Sequence, residues 1–337
     1  MRGTRQPRVC PPFFSLGILG LLAAFASVGS YAEVSVRPVP GDPLTLQPPP
    51  GVNPGFGRAV AISGDTMVVG HPYTDGNRGS VSIFTRNMPG EESSGWTQLG
   101  CPSACSTGIL SRTTTVMEYL GWSVAIDGDT IVVGAPWVTG ASSDEGAIFV
   151  FERDTPGSLT SSWSQVVELS NPKESGAFKS QDRFGYCVAI DGDTIVASTN
   201  PSSSTYGAAF VFVRDSELGW MHTAQLADPV QAESGPFADV HSSSNDYGSS
   251  VAVSGNTVAV SASGTWAGYV SIFVRSDPDD LSSAWEADEV INQQSTIAGL
   301  GAVVAIDGDT LVASSPSYDS YKGAAWVYTR EADHSWG

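Results

Sequence analysis

The chain has 337 residues, with 16 lysines and arginines against 35 aspartates and glutamates, and a formal net charge of −19. A charge so one-signed excludes nucleic acid and an anionic membrane surface as expected partners. It fits an extracellular, soluble protein that binds cations or positively charged partners, or one whose acidity serves solubility alone.

The first element along the chain is a targeting segment. Arg2, Arg5 and Arg8 precede an uncharged apolar stretch from Phe13 to Val28, and Ser30-Tyr31-Ala32 puts small residues where a signal peptidase reads. Cleavage after Ala32 is expected, giving a signal peptide over 1–32 and a mature domain over 33–337. An uncleaved anchor is the other reading, because Pro11 to Ala32 carries no charge. No later segment reads as a transmembrane helix. Cys101 and Cys105 lie four residues apart in a loop and are expected to form a local disulfide in an oxidising compartment. No second Cys or His pair has the spacing of a zinc site. Cys187 stands where other units have Ala59, Ser123, Ser250 and Val303, so it reads as a small buried residue. No Asn-x-Ser/Thr sequon is present, Asn200-Pro-Ser being excluded by its proline.

One phrase then recurs five times. It reads Ala-Val-Ala-Ile-Ser-Gly-Asp-Thr-Met-Val-Val-Gly from Ala59 and Ser-Val-Ala-Ile-Asp-Gly-Asp-Thr-Ile-Val-Val-Gly from Ser123, with further copies from Cys187, Ser250 and Val303. The central glycines, Gly64, Gly128, Gly192, Gly255 and Gly308, are 64, 64, 63 and 53 residues apart. Such a period marks a repeat architecture in which units stack on their neighbours.

Each unit parses into four strands. The first runs into Ser-Gly or Asp-Gly, a hairpin signal that predicts a type I′ turn with positive φ at both central residues. The second is another run of Val, Ala and Ile. Both are nearly continuous apolar runs, as expected of strands buried on two faces. The third opens at a glycine (Gly79, Gly146, Gly207, Gly268, Gly323) and closes at an arginine (Arg86, Arg153, Arg214, Arg275, Arg330). The fourth opens at Trp96, Trp163, Trp220 or Trp285 and alternates, so it is half exposed. The tryptophans are expected to pack the blades, stacked on the preceding arginines. Burial that falls from inner to outer strand, repeated radially, predicts an all-β fold: a β-propeller of four-stranded antiparallel blades. The approximate blade spans are 43–86, 96–153, 163–214, 220–275 and 285–330. Pro43-Leu-Thr-Leu-Gln-Pro48 is a candidate outer strand for the first unit. Trp336 looks like the start of one more fourth strand, so the ring is either closed with five blades or a piece of a larger one.

Phe56-Gly57 and Phe184-Gly185 before the first strand, Gly134-Ala-Pro136 after the second, and Gly-Ala-x-x-Val-Phe in the third resemble the FG-GAP repeats. Leu120-Gly121, Tyr247-Gly248 and Leu300-Gly301 vary the first pair. The resemblance covers almost all of 43–336 and implies the propeller of integrin α subunits and of many secreted microbial and algal proteins. It also implies calcium in the loop between the first two strands. Here that loop has shrunk to a turn carrying Asp127 and Asp129, Asp191 and Asp193, or Asp307 and Asp309, two carboxylates where calcium needs six to eight oxygens. The aspartates are expected to serve the turn, and no cofactor is expected.

The strand 2–3 loops and the strand 4–1 loops share one face. The former carry Tyr73, Asp75, Trp137, Asp144, Glu145, Tyr206, Trp266, Tyr318, Asp319 and Tyr321, exposed aromatics beside acids, the make-up of a surface for a protein or glycan ligand. The competing reading is that each ring packs on its own blade. The histidines, His71, His222, His241 and His334, fall at unrelated points, and no Ser-His-Asp order, metal-binding helix or phosphate loop occurs. The expected function is a non-enzymatic extracellular or cell-surface adhesion module. The alternative is a carbohydrate-active propeller hydrolase or lyase with Asp182 and Asp246 as axial carboxylates.

Overall fold

The computed structural model describes residues 46, 55–91, 94–99, 109–110, 116–140, 143–173, 181–200, 207–230, 246–263, 268–292, 299–332 and 334–337. The signal segment, Cys101, Cys105, Tyr206, Trp266 and all of 43–48 except Leu46 lie outside the described residues.

Each copy of the phrase forms a hairpin. Ser123–Asp127 pairs antiparallel with Thr130–Ala135, and Asp127 faces Thr130, leaving Gly128 and Asp129 as a two-residue turn. In all five turns φ is positive at the glycine (Gly64, Gly128, Gly192, Gly255, Gly308) but not at the residue after it. This corrects the expectation of a type I′ turn, since positive φ at the first central residue alone is the type II′ pattern. Glycine takes that conformation without steric cost. The following residue, an aspartate in four units and Asn256 in the fourth, keeps an ordinary backbone and turns its side-chain oxygen to the arginine that ends the third strand. Nε of Arg86 lies 2.7 Å from Asp65 Oδ1 and Nε of Arg153 lies 2.6 Å from Asp129 Oδ1.

The third strand lies antiparallel on the second, and the fourth on the third. Four strands in chain order make the second, third and fourth blades, over Ser123–Ser170, Val188–Leu226 and Tyr247–Asn292. The first blade adds the short strand Ile109–Leu110, which pairs with Val81 and Ser82 of the third strand. The fifth has three strands, Val304–Asp307, Thr310–Ser315 and Ala324–Thr329, plus an antiparallel bridge from Arg330 to Trp336. The tryptophan strand thus closes the sheet before it: Trp96 pairs with Arg86, and Trp163 with Arg153. Spans that open at Trp96 or Trp163 join it to the wrong unit, because a short loop makes antiparallel neighbours of the third and fourth strands. Every one of the five arginines stacks on its tryptophan, with 4.4–4.9 Å from the guanidinium carbon to the ring centre.

Blade packs on blade through four apolar cores. Val124, Ile126 and Phe149 of the second blade meet Val68, Val81 and Ile83 of the first. The second blade's other face, with Ala125, Val132, Ile148 and Val150, meets the third. Equivalent cores join the third blade to the fourth and the fourth to the fifth. Polar clasps repeat with the same period. Arg153 Nη2 donates to Thr66 Oγ1 of the preceding blade at 2.9 Å, Arg214 to Thr130 at 2.9 Å and Arg275 to Thr194 at 3.0 Å. The turn amide of Gly192 donates to Asp127 Oδ2 at 2.7 Å and that of Gly255 to Asp191 Oδ2 at 2.6 Å, each across a blade boundary.

The signature glycines mark where backbones touch along these boundaries. A Cβ on Gly134 would lie 2.0 Å from the carbonyl oxygen of Gly185 in the next blade, and one on Gly146 would lie 2.2 Å from that of Phe184. The outer members of the row differ. Around Gly57 nothing lies within 4 Å of such a Cβ, and around Gly323 nothing lies closer than 3.7 Å. The side chains agree: Val60 is 57% exposed where Val124 is 5%, and Val327 is 58% exposed where Val150 is 0%. One inner strand in each of these blades, Ala59–Ser63 in the first and Thr310–Ser315 in the fifth, is therefore not buried on both faces as expected. Among the described residues, no core joins these two blades.

Candidate binding site at the mouth of the propeller

Immediately after the Phe-Gly-like pair, the chain enters the innermost strand. The residue at that step differs in every unit: Arg58, Trp122, Tyr186, Ser249 and Ala302. The residue just before the pair is Gly55, Tyr119, Arg183, Asp246 or Gly299, glycine in the first and fifth units and unlike in the three between. The glycine between has φ of 84–89° in all five units, and this bend aims the flanking residues at the centre of one face.

Blades one to three bring their rings together there. Trp122 centres lie 4.5 Å from Trp137, 6.0 Å from Tyr186, 6.4 Å from Tyr119 and 6.4 Å from Tyr73. Tyr119 lies 4.7 Å from Trp137 and 5.8 Å from Tyr73. Most pairs meet edge to face or tilted, the arrangements that ring quadrupoles favour. Arg58 lies over Trp122 at 4.1 Å and Arg183 over Trp137 at 5.3 Å. Trp122 and Tyr186 are buried, while Tyr73, Tyr119, Trp137, Arg58 and Arg183 are half-buried and form the accessible part.

The electrostatics follow from this crowding. Burial lowers the pKa of Arg58, an effect opposed by the phenols of Tyr186 and Tyr73. Burial raises that of Tyr186. Desolvation raises the carboxyl of Asp246, at the fourth blade's entry to the mouth, and its charge is felt by Tyr186. Nε of Arg183 is buried without a hydrogen-bond partner.

Of the loop residues expected to face a ligand, Tyr73 and Trp137 belong to this cluster. Tyr206 and Trp266 lie outside the described residues, and none of the other described ones stacks on these rings. Asp75 pairs with Arg78, and Asp319 pairs with Lys322 at 2.7 Å. Tyr318 packs edge to face on Trp326 at 5.2 Å, while Tyr321 is 82% exposed. The carbonyls of Asp144 and Glu145 receive the amides of Arg183 and Phe184, which fixes the entry of the third blade, and Glu145 is buried. Asp182 is 1% exposed and held by Lys173 at 2.7 Å and Asn171 at 2.9 Å. Cys187 is fully buried, its sulfur accepting the amide of Val251.

Arg58, Tyr119, Trp122, Arg183 and Tyr186 escape a reading based on loops, because they look like ends of inner strands. The signal that finds them is variation: in a phrase that otherwise repeats, the residue after the Phe-Gly-like pair is unlike in all five copies, and the residue before it is unlike in the three middle ones.

Radial four-stranded blades, stitched at glycine seams and converging on one aromatic mouth, define a repeat-built β-propeller. The FG-GAP repeat model matches residues 52–84, 114–151 and 163–212, so the chain carries FG-GAP repeats over these stretches. No curated protein matches it.

Proposed function

We propose that this protein is a non-enzymatic binding or adhesion module, secreted or displayed at the cell surface, that takes a glycan or protein ligand at the mouth built by Arg58, Tyr73, Tyr119, Trp122, Trp137, Arg183 and Tyr186. One observation carries the reading: three blades bring unlike aromatic and cationic residues together at positions where the scaffold itself repeats. Rings joined to a few convergent polar groups are what recognition sites use. The arginine-bearing N-terminus with its apolar stretch supports export. The hydrolase or lyase reading has less support, since Asp182 is engaged by Lys173 and Asn171.

The test is an array of glycans and extracellular proteins probed with residues 33–337 and with Trp137→Ala. A ligand whose signal falls at least tenfold in the variant supports the proposal. Ligands bound equally by both proteins would place recognition elsewhere.

A further inference from the structure

We infer that the mouth is selective for a ring-borne carboxylate, and that its ligand is a uronate-bearing glycan held between Arg183 and Arg58. This deepens the binding-module reading and rests on it.

The starting observation is two guanidinium groups on adjoining rings in a chain of formal charge −19. Arg58 covers Trp122, Arg183 covers Trp137, and those two rings are 4.5 Å apart. Elsewhere the arginines that stack on tryptophans are matched to the scaffold. Arg153, for example, meets Asp129, the carbonyl of Ser158 and Thr66. Nε of Arg183 is buried without a hydrogen bond, as are those of Arg214 and Arg330, but these two lie 3.6 Å from Asp193 and 3.7 Å from Asp309, whereas among the described residues no carboxylate contact with Arg183 is formed. The groups that favour the charge of Arg58 are the phenols of Tyr186 and Tyr73. A planar guanidinium already held flat on a ring keeps its N–H edge oriented for a two-pronged bond to a carboxylate.

The rest of the mouth restricts the ligand further. The half-buried Trp137, Tyr119 and Tyr73 offer apolar faces to a ring-shaped body. Asp246 supplies an acceptor for hydroxyls and repels a second anion, which orients a ligand with its carboxylate toward the arginines. The acidity of the whole chain opposes dense polyanions such as sulfated chains, nucleic acid or poly-acidic peptides. A uronate places a single charge on each ring and keeps hydroxyls for Asp246.

Calorimetric titration of residues 33–337 with a galactose oligomer bearing one galacturonate unit, with the neutral galactose oligomer of equal length and with an Asp/Glu peptide tests this. The expected result is uronate binding at least tenfold tighter than the neutral oligomer, and no peptide binding. Arg183→Gln should remove that preference, bringing the affinity for the charged oligomer down to that for the neutral one, and Tyr321→Ser should change nothing. Circular dichroism checks that each variant is folded. Equal affinity for the neutral and charged oligomers, or binding of the peptide alone, would overturn the carboxylate inference yet leave a binding mouth if Trp137→Ala abolishes it. Absence of binding to all three overturns the inference. If, in addition, no array ligand responds to Trp137→Ala, the binding-module reading fails as well.

Discussion

Two buried side chains show how single residues carry the scaffold's stability. Arg153 is nearly excluded from water and joins Asp129, Ser158, Thr66 and Trp163. Arg153→Ala removes all four contacts and a packed stem, and should cost about 3 kcal/mol in urea unfolding. Arg330 makes the same motif with a longer contact of 3.7 Å to an Asp309 that is 78% exposed, so Arg330→Ala should cost about 1 kcal/mol. His71 is the second case. It is fully buried under Phe56, with Nε2 2.9 Å from Ser82 Oγ and Nδ1 near Ser80 and Thr74, and burial lowers its pKa to about 4. Its folded value lies below the unfolded one of about 6.5, so the unfolded chain binds the proton first as pH falls. His71 therefore imposes no penalty above about pH 6.5. The penalty grows through the window from there to about pH 4 and reaches about 3 kcal/mol. Urea unfolding of wild type and His71→Gln across that window should show the extra slope in the wild type only.

At the scale of the element, the turn and the seam explain why the repeat has its residues. The hairpins were legible because Asp-Gly and Ser-Gly between apolar runs have few other uses. The turn type was not, because it depends on which central residue bends, and that follows from the arginine drawing the second residue's carboxylate inward. The glycines of the signature were legible as a pattern but not as a cause, since their reason is a backbone in the next blade. Gly134 isolates that cause: its own φ is not in the left-handed region, yet a Cβ there meets the oxygen of Gly185 at 2.0 Å. Gly134→Ala should cost about 2 kcal/mol or more, whereas Gly→Ala at the exposed Gly337, where a Cβ would come no closer than 3.7 Å to Glu331, should be nearly neutral. Thermal unfolding of the two variants makes the comparison.

For the whole molecule, the four cores among the described residues leave apolar side chains exposed on the first blade, at Val60, and on the fifth, at Val327. Composition cannot reveal this, because Val60 and Val124 sit in nearly identical phrases and differ only in having a neighbouring blade. Val327→Asp should therefore change stability by less than about 0.5 kcal/mol, while Val150→Asp, burying an unpaired charge, should prevent folding. The same scale locates function. Repeated positions build the frame, and the unlike residues beside the Phe-Gly-like pairs meet only once the blades are assembled. That is why Tyr73 and Trp137 could be found as loop aromatics while Arg58, Trp122 and Tyr186 could not. The most direct measurement compares two sets of folded variants against one array of glycans and proteins: Arg58→Gln, Tyr119→Ala, Trp137→Ala and Arg183→Gln at the mouth, with Asp75→Asn, Tyr318→Ala and Tyr321→Ser on the outlying loops. Loss of the ligand signal in the mouth set alone is the predicted result; loss in the loop set with the mouth set unaffected would contradict it.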